Sequence, residues 1–374
     1  MRTRITHPKA AATATTKAAA ALAGLLLVLT ACDSSPAADP SASATDAKNG
    51  DTAPVPRIPV PRGEGSRVPY DFNGDGRPDL VINDLVKAPE DLHGDDAGIG
   101  IVYGTEDSPL DPAARQLLNA RANAAKSGDT LPAAFDAEAA CDLDGDGFTD
   151  LIVSTDPPYN GVGAPPVPLQ ILFGSPDGLT GRAVTVRIPA QARFGNEWPE
   201  HPVCGDFDGD GTTDLAVTAS DGRISFLRSP FTRTGAPAGA ELLPDGAPYL
   251  YAPEPRADTD GDGYDDLVAT ARPRTPGKAA KGTLLLGSAD GPARPGGTYT
   301  FPAENLPEAP LRTKGAKGTT RTTFLARGDF DGDRKANDTV VRTYRGERED
   351  LIALYAAGST DDPVLTFSTT LFLP

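Results

Sequence analysis

The chain has 374 residues, 39% hydrophobic and 23% charged, which is enough apolar content for folded structure and excludes disorder throughout. Acids outnumber bases 52 to 35, and the formal net charge of -17 disfavours nucleic acid or an anionic membrane surface as principal partner. With 40 glycines and 37 prolines, turns must be frequent and a bundle of long helices is excluded.

In chain order, residues 1–17 carry Arg2, Arg4, Lys9 and Lys17 and no acid, and an apolar run follows from Ala18 to Ala31. That is the pattern of a secretory signal, too short to span a hydrocarbon core that needs about 20 residues. The run ends in Leu29-Thr30-Ala31-Cys32, which resembles the lipobox of bacterial lipoproteins. The resemblance implies cleavage after residue 31, lipid (palmitate among the acyl chains) on Cys32, and a protein held at the extracytoplasmic face of the cell membrane. Residues 32–66, rich in Ser, Ala, Pro, Asp and Thr, bury too little to fold and are expected to be a flexible tether.

From Asp71 one pattern recurs five times, starting at Asp71, Asp142, Asp206, Asp258 and Asp329. Oxygens at positions 1, 3 and 5 of such a tight loop converge on one point, position 7 adds a backbone carbonyl, and position 9 completes the shell. The candidate metal ligands are therefore Asp71, Asn73, Asp75, Arg77 and Asp79 in the first loop, and Asp142, Asp144, Asp146, Phe148 and Asp150 in the second. The third offers Asp206, Asp208, Asp210, Thr212 and Asp214, and the fourth Asp258, Asp260, Asp262, Tyr264 and Asp266. The fifth retains Asp329, Asp331 and Asp333, but Arg334 stands at the glycine position, Asn337 at the ninth and Asp338 one place late. An all-oxygen shell selects a hard cation, and Ca²⁺ suits it better than Mg²⁺. The expectation is about four good sites and a doubtful fifth, with Asp338 mattering less to stability than Asp144. The glutamate that closes an EF-hand loop at position 12 is missing from every copy, and apolar runs such as Leu151-Ile152-Val153 follow instead, which read as buried strands.

Further strands are expected at Ile101–Tyr103, Ile171–Phe173 and Leu284–Leu286, each ending in a small-residue turn, and around Val184–Ile188 and Thr298–Phe301. Four strands per unit make a propeller blade, so the chain reads as an all-β propeller of about five four-stranded blades with calcium-binding loops, behind a signal peptide and disordered tether. These units resemble the FG-GAP repeats of integrin-α-like propellers and their bacterial lipoprotein relatives, over residues 67–374. Phe194-Gly195 stands where the repeat's FG falls, twelve residues before Asp206. Either the ring is a small one of five blades or it closes with an extra strand or partial blade from residues 54–68, and an Ala-rich helix could fall within 111–128.

Cys141 and Cys204 precede neighbouring loops, and either a disulfide or two buried thiols fits the sequence. Arg327-Gly328-Asp329 spells an integrin-recognition tripeptide, but Asp329 is a loop ligand and its carboxylate is expected to turn inward. Of the histidines His7, His93 and His201, none sits in a recognisable catalytic motif. The expected function is a membrane-anchored binding, adhesion or scaffold module for a surface protein or glycan, without nucleic acid and without turnover, using loops such as 157–168 and 196–201. The alternative is a propeller-framed hydrolase or lyase acting on polysaccharide. Glu197, Trp198, Glu200 and His201 are its sole polar-aromatic cluster. Acids or histidines converging in the central funnel would favour it.

Overall fold

The computed structural model describes residues 55–85, 97–163, 165–275, 277–311, 319–345 and 349–373. The signal segment, Cys32, the tether to residue 54, His7 and His93 lie outside the described residues.

Strands dominate because the segments after each acidic loop are aliphatic and β-branched, and each finds partners on both edges. The first sheet holds β1 (Leu80–Ile82), β2 (Ile99–Tyr103) and β3 (Asp111–Leu118), and the second β4 (Phe135–Cys141), β5 (Asp150–Thr155), β6 (Gln170–Leu172) and β7 (Val184–Thr185). The third contains β8 (Val203–Gly205), β9 (Asp214–Ala219), β10 (Arg223–Arg228) and β11 (Gly239–Leu243). The fourth is β12 (Tyr249–Tyr251), β13 (Leu267–Thr270), β14 (Ala280–Leu286) and β15 (Arg294–Phe301), and the fifth β16 (Thr320–Gly328), β17 (Asp338–Arg345), β18 (Glu349–Tyr355) and β19 (Leu365–Phe367). Each sheet is an antiparallel meander, and the five form a five-bladed propeller.

One blade departs from the expected four strands. Among the described residues the first sheet has three, and the one not seen there is the innermost, which in the other blades leads directly into the acidic loop. Residues 67–70 stand there instead, with Pro69 lacking a ladder donor and Tyr70 at φ 62°. The segment before them forms no strand and closes no ring. It runs across the loops of the first two blades: Gly63 N donates to Asn73 O (3.0 Å), Gly65 N to Gly74 O (3.1 Å) and Ser66 N to Gly147 O (2.7 Å). A Cβ at residue 63 would lie 1.8 Å from Gly74 O, so the strap requires glycine there. Residues 55–66, expected as tether, are thus tied down by backbone hydrogen bonds.

The Ala-rich stretch also differs from expectation. Asp111–Leu118 is the outer strand of the first blade, paired Leu118 to Ile99, and only Ala120–Asn123 turn into a one-turn helix, α1, capped by Asn119. An open sheet edge with buried Ala114 and Leu118 facing it outweighs alanine's helix propensity.

The core lies between blades rather than within them. Leu151 and Val153 pack with Ile99 and Tyr103, Leu215 and Val217 with Ile152 and Ile171, and Leu267 and Leu285 with Phe226 and Ile224. The ring closes where Leu80, Ile82 and Val102 meet Val340, Ile352, Leu354 and Phe372. Arg342 reinforces that seam by donating to the carbonyls of Asn83 (3.0 Å) and Asp84 (2.9 Å). Each fully buried aliphatic side chain contributes about 2 kcal/mol, so these seams are where the fold's stability resides. Inner strands β4 and β8 approach closely enough for Cys141 and Cys204 to form a disulfide, with Cα atoms 6.3 Å apart, which decides between the two alternatives for these thiols.

Candidate metal centres

All five acidic loops fold alike. The position-1 carboxylate turns inward and accepts backbone amides, Gly74 and Gly76 on Asp71, Gly145 and Gly147 on Asp142, Gly211 on Asp206, Gly261 and Gly263 on Asp258, and Arg334 on Asp329. The position-5 carboxylate accepts the amide of position 7, from Arg77, Phe148, Thr212, Tyr264 and Lys335. In the fifth loop the position-7 carbonyl, Lys335 O, accepts the Asn337 amide (2.8 Å). In four loops one carboxylate oxygen from each of positions 1, 3 and 5 lies within 4.8 Å of the others: Asp142, Asp144, Asp146; Asp206, Asp208, Asp210; Asp258, Asp260, Asp262; and Asp329, Asp331, Asp333. In the first loop Asn73 supplies an amide oxygen in place of the middle carboxylate.

Position 9 does something the spacing did not reveal. Asp79 accepts the amides of Phe72 (2.9 Å) and Gly104 (3.0 Å), and Asp150 those of Leu143 (3.0 Å) and Gly174 (2.9 Å). Asp266 accepts Thr259 N (2.9 Å) and Gly287 N (3.0 Å), and Asp214 accepts Ser229 N (2.9 Å). Each of these carboxylates is fully buried and ties position 2 of its loop, or the turn after the next strand, to the start of the second strand. In the fifth loop Asp338 takes this place, accepting Phe330 N, Asp331 N and Ala357 N at 2.8–2.9 Å. This role argues against the expectation that Asp338 matters less to stability than Asp144: one extra residue in the loop moves the carboxylate along the sequence but not out of its structural role.

The residues fit an oxygen-ligated cation. Asn73 Oδ1, Asp144 Oδ1, Asp206 Oδ1, Asp214 Oδ2 and Asp329 Oδ1 are buried with no hydrogen-bond partner, at positions 3, 3, 1, 9 and 1 of four different loops. Buried acceptors left unpaired cost free energy, and a hard cation is the partner that several convergent oxygens share. Like-charge crowding is visible in the titration of these groups. Burial, followed by the charge of Asp146, pushes the Asp144 carboxyl up to about 6, against the opposing guanidinium of Arg233. Burial pushes Asp214 up to about 7, and Asp79 and Asp150 well above the usual carboxylate range. Cationic side chains take up part of the charge: Arg233 from the third blade pairs with Asp144 and Asp146, Arg228 with Asp208, and Lys335 with Asp333 (2.9 Å).

Neighbouring loops are stitched together. The position-2 carbonyl of one loop accepts an amide from the next blade, Phe72 O from Ser175 (3.2 Å), Leu143 O from Phe231 (2.7 Å) and Phe207 O from Ser288 (3.1 Å). Asp265 adds a carboxylate bond to Asp206 N (2.8 Å). A filled loop therefore stabilises a seam as well as a turn.

Other sequence candidates are dispersed. Phe194 ends the one-turn helix α2 (Ala190–Arg193) with φ 48° and lies under the Arg223 guanidinium, 4.5 Å from its ring centroid. Arg327 is held by both oxygens of Glu304 (2.8 and 2.9 Å) and Asp329 is committed to its loop, so the tripeptide is not displayed. Of the polar-aromatic cluster, His201 alone reaches the middle of the ring. There a cavity of about 1050 Å³ is lined by the inner strands of blades two, three and four and by residues 66–70, and it contains Glu138, Glu254 and Arg274 as well as His201. Sequence reasoning missed Arg274 and Glu254, which come from two irregular loops of the fourth blade and meet through the pairing of that blade's strands.

Comparison with known proteins agrees with the loops. Residues 142–217 match the FG-GAP-like repeat, and residues 203–240 match the FG-GAP repeat. No curated protein matches the chain in sequence. Among solved structures, the V. cholerae biofilm matrix protein Bap1 is similar over 83% of this chain and 43% of that one, at 15% identity and a TM-score of 0.23. The chain thus spans less than half the length of that protein. The matched segments fall on the second and third blades, so residues 142–240 carry FG-GAP repeats, and clustered loop carboxylates recur in the fourth and fifth blades.

Proposed function

We propose that this protein is a calcium-stabilised binding module, lipid-anchored through Cys32 on the extracytoplasmic side of the cell membrane, that engages a surface protein or glycan. The observation that carries the reading is the set of orphaned buried oxygens in four loops, built into a ring whose seams those loops hold. Ca²⁺ at Asp142, Asp144 and Asp146 and their counterparts would supply charge neutralisation and shape, and recognition falls to the surface carried by the ring. Loop 157–163 offers exposed Tyr159 and Val162 for such contact.

The second reading, a polysaccharide hydrolase or lyase, draws on Glu138 and Glu254 in the central cavity. Glu254 is gripped by Arg274 through both oxygens and Glu138 accepts the Ser154 hydroxyl at 2.7 Å, so both carboxyl groups are already engaged within the protein. Binding without turnover is the better account.

The test is thermal melting in millimolar Ca²⁺ and in EGTA, alongside fractionation of cells expressing Cys32→Ala. At ten times Kd each loaded site contributes about 1.4 kcal/mol, so chelation should lower Tm by many degrees. The substitution should move the protein out of the membrane fraction. An identical Tm in EGTA would remove the calcium assignment, and a membrane-bound Cys32→Ala protein would remove the anchor.

A further inference from the structure

The first acidic loop is held from outside its own blade. Among the described residues no inner strand leads into it, and residues 61–66 of the strap lie on it instead. Besides the backbone bonds to Asn73 O, Gly74 O and Gly147 O, two bonds fall on the candidate ligands themselves. The Asn73 side-chain amide donates to Pro61 O (2.9 Å), and the Ser66 hydroxyl donates to Asp71 Oδ2 (2.6 Å). The approach is close from the loop side too, since a Cβ at residue 74 would lie 2.6 Å from Gly65 N.

The bond to Pro61 decides which end of the Asn73 amide is left over. A carbonyl can only accept, so it takes the nitrogen and leaves Oδ1. That oxygen is buried on a side chain with no exposed surface, and no donor in the protein meets it. The other four loops carry aspartate at position 3, whose two oxygens are alike and need no such orientation. The first loop carries asparagine there, and its ligand atom is chosen by the strap.

From this geometry we infer that residues 61–66 are positioning residues of the first metal site, so that strap and cation bind the loop cooperatively. The inference rests on the calcium reading of the loops and deepens it. Asp71, Asn73 and Asp75 gathered on one ion hold the backbone whose carbonyls at 73 and 74 receive the strap, and the strap in turn fixes Asn73 and Asp71. Such coupling is reciprocal: loosening the strap weakens the site by the factor by which emptying the site loosens the strap. Little else holds the strap down. Val60 is half-buried against the core, but Val55 and Ile58 stay exposed, and the Arg62–Asp177 ion pair faces solvent on both sides. Residues 67–70 continue from the strap as a wall shared by the central cavity and a smaller one of about 460 Å³, so the state of the first loop reaches both.

The experiment is hydrogen exchange of the full chain in millimolar Ca²⁺ and in EGTA, well below Tm, read on the amides of Gly63, Gly65 and Ser66. These should exchange about tenfold faster or more in EGTA. Asp75→Ala removes a loop ligand whose carboxylate bonds Arg77 N rather than the strap, and it should give the same fast exchange in Ca²⁺ while Tm still rises with calcium through the other loops. Asp262→Ala, its counterpart in the fourth loop, should leave the strap protected. In the other direction, Ser66→Ala should weaken one calcium-binding step about threefold or more in calorimetric titration, and Ser66→Thr should restore it. This arm decides the matter if Asp75→Ala fails to fold. Equal strap exchange in the two buffers, with Tm still higher in Ca²⁺, would overturn the coupling and leave the calcium reading standing. Tm and exchange both indifferent to chelation would remove the two together. Equal loosening by Asp75→Ala and Asp262→Ala would mean that the ring softens as a whole, which overturns the coupling as well.

Discussion

The second and fifth acidic loops obey the same grammar with different letters, and the difference separates what holds a loop together from what fills it. In the second, Gly147 occupies the turn at φ 86°, and Asp150 closes the loop at its ninth position. Its neighbours enclose it: Leu143 O is bonded from the third blade, Ser66 N binds Gly147 O, and Cys141 is disulfide-linked to the third blade. In the fifth, Arg334 takes the turn at φ 68°, and Asp338 closes the loop one residue later. This loop faces the closing seam, beside a cavity of about 460 Å³ shared with the first loop. Yet both bring their three carboxylates together within the same distance. The buried closing aspartate is thus the feature the loop cannot lose, and glycine is the convenience.

The strongest way to break that comparison is to remove the closing carboxylate from each loop. Asp150→Ala and Asp338→Ala each leave two or more buried amides without acceptors, and each should cost about 3 kcal/mol in EGTA. Asp144→Ala should cost much less there, since one of its oxygens has no partner to lose, and should act mainly by reducing the gain on adding Ca²⁺. Urea unfolding of the three variants with and without calcium reads this directly. If Asp338→Ala proves the mildest, the closing role assigned to it fails.

A smaller effect lies in pH. Asp214 is pushed up to about 7, and Asp79 and Asp150 rise well above the ordinary carboxylate range, burial being the first cause in each. Unfolded aspartates titrate near ~3.9. Between about pH 4 and pH 7 the folded, calcium-free chain therefore holds protons that the unfolded chain releases, and stability falls as pH rises through that window. A bound cation replaces those protons and favours the deprotonated ligands, so the same window should become flat or reverse in sign with Ca²⁺ present. Melting curves from pH 5 to 7.5 in EGTA and in Ca²⁺ check both signs, and a calcium-free Tm that climbs with pH would contradict the first.

How much of this was legible beforehand follows from how local each signal is. Loop ligands sit within nine residues of one another, so spacing alone places Asp142, Asp144 and Asp146 together, and the recurrence of that spacing counts the blades. The double duty of Asp150 was invisible, because one of its partners, Gly174, belongs to a turn two strands away. The first blade's missing inner strand escaped for a different reason: residues 66–70 carry Val68 and Tyr70 in alternation, and only Pro69 and the crossing strap tell against a strand. The Asp111–Leu118 strand shows tertiary pairing prevailing over propensity, which no window of the chain contains. Arg274 and Glu254, twenty residues apart on separate loops, are unremarkable in sequence and become a pair only through the strand pairing of the fourth blade.

The finest test exchanges the convenience itself. Arg334 holds a left-handed conformation that costs a side-chain-bearing residue about 1 kcal/mol, and glycine adopts it freely. Arg334→Gly removes that cost but gives the unfolded chain more freedom, so the net gain in EGTA should be only about 0.5 kcal/mol. The guanidinium it deletes is exposed and sits next to Lys335, which already pairs with Asp333 at 2.9 Å on the rim of the fifth carboxylate cluster. Taking one positive charge from that rim lowers the repulsion an entering cation meets, and the fifth loop should bind Ca²⁺ a few-fold more tightly. Calorimetric titration of the variant beside the parent resolves this as a shift in the weakest binding step, and the shift should shrink at high salt because both charges face solvent. A fifth loop that loses affinity on becoming Arg334→Gly would mean that the arginine helps to shape the site, and that the second and fifth loops are built on different rules.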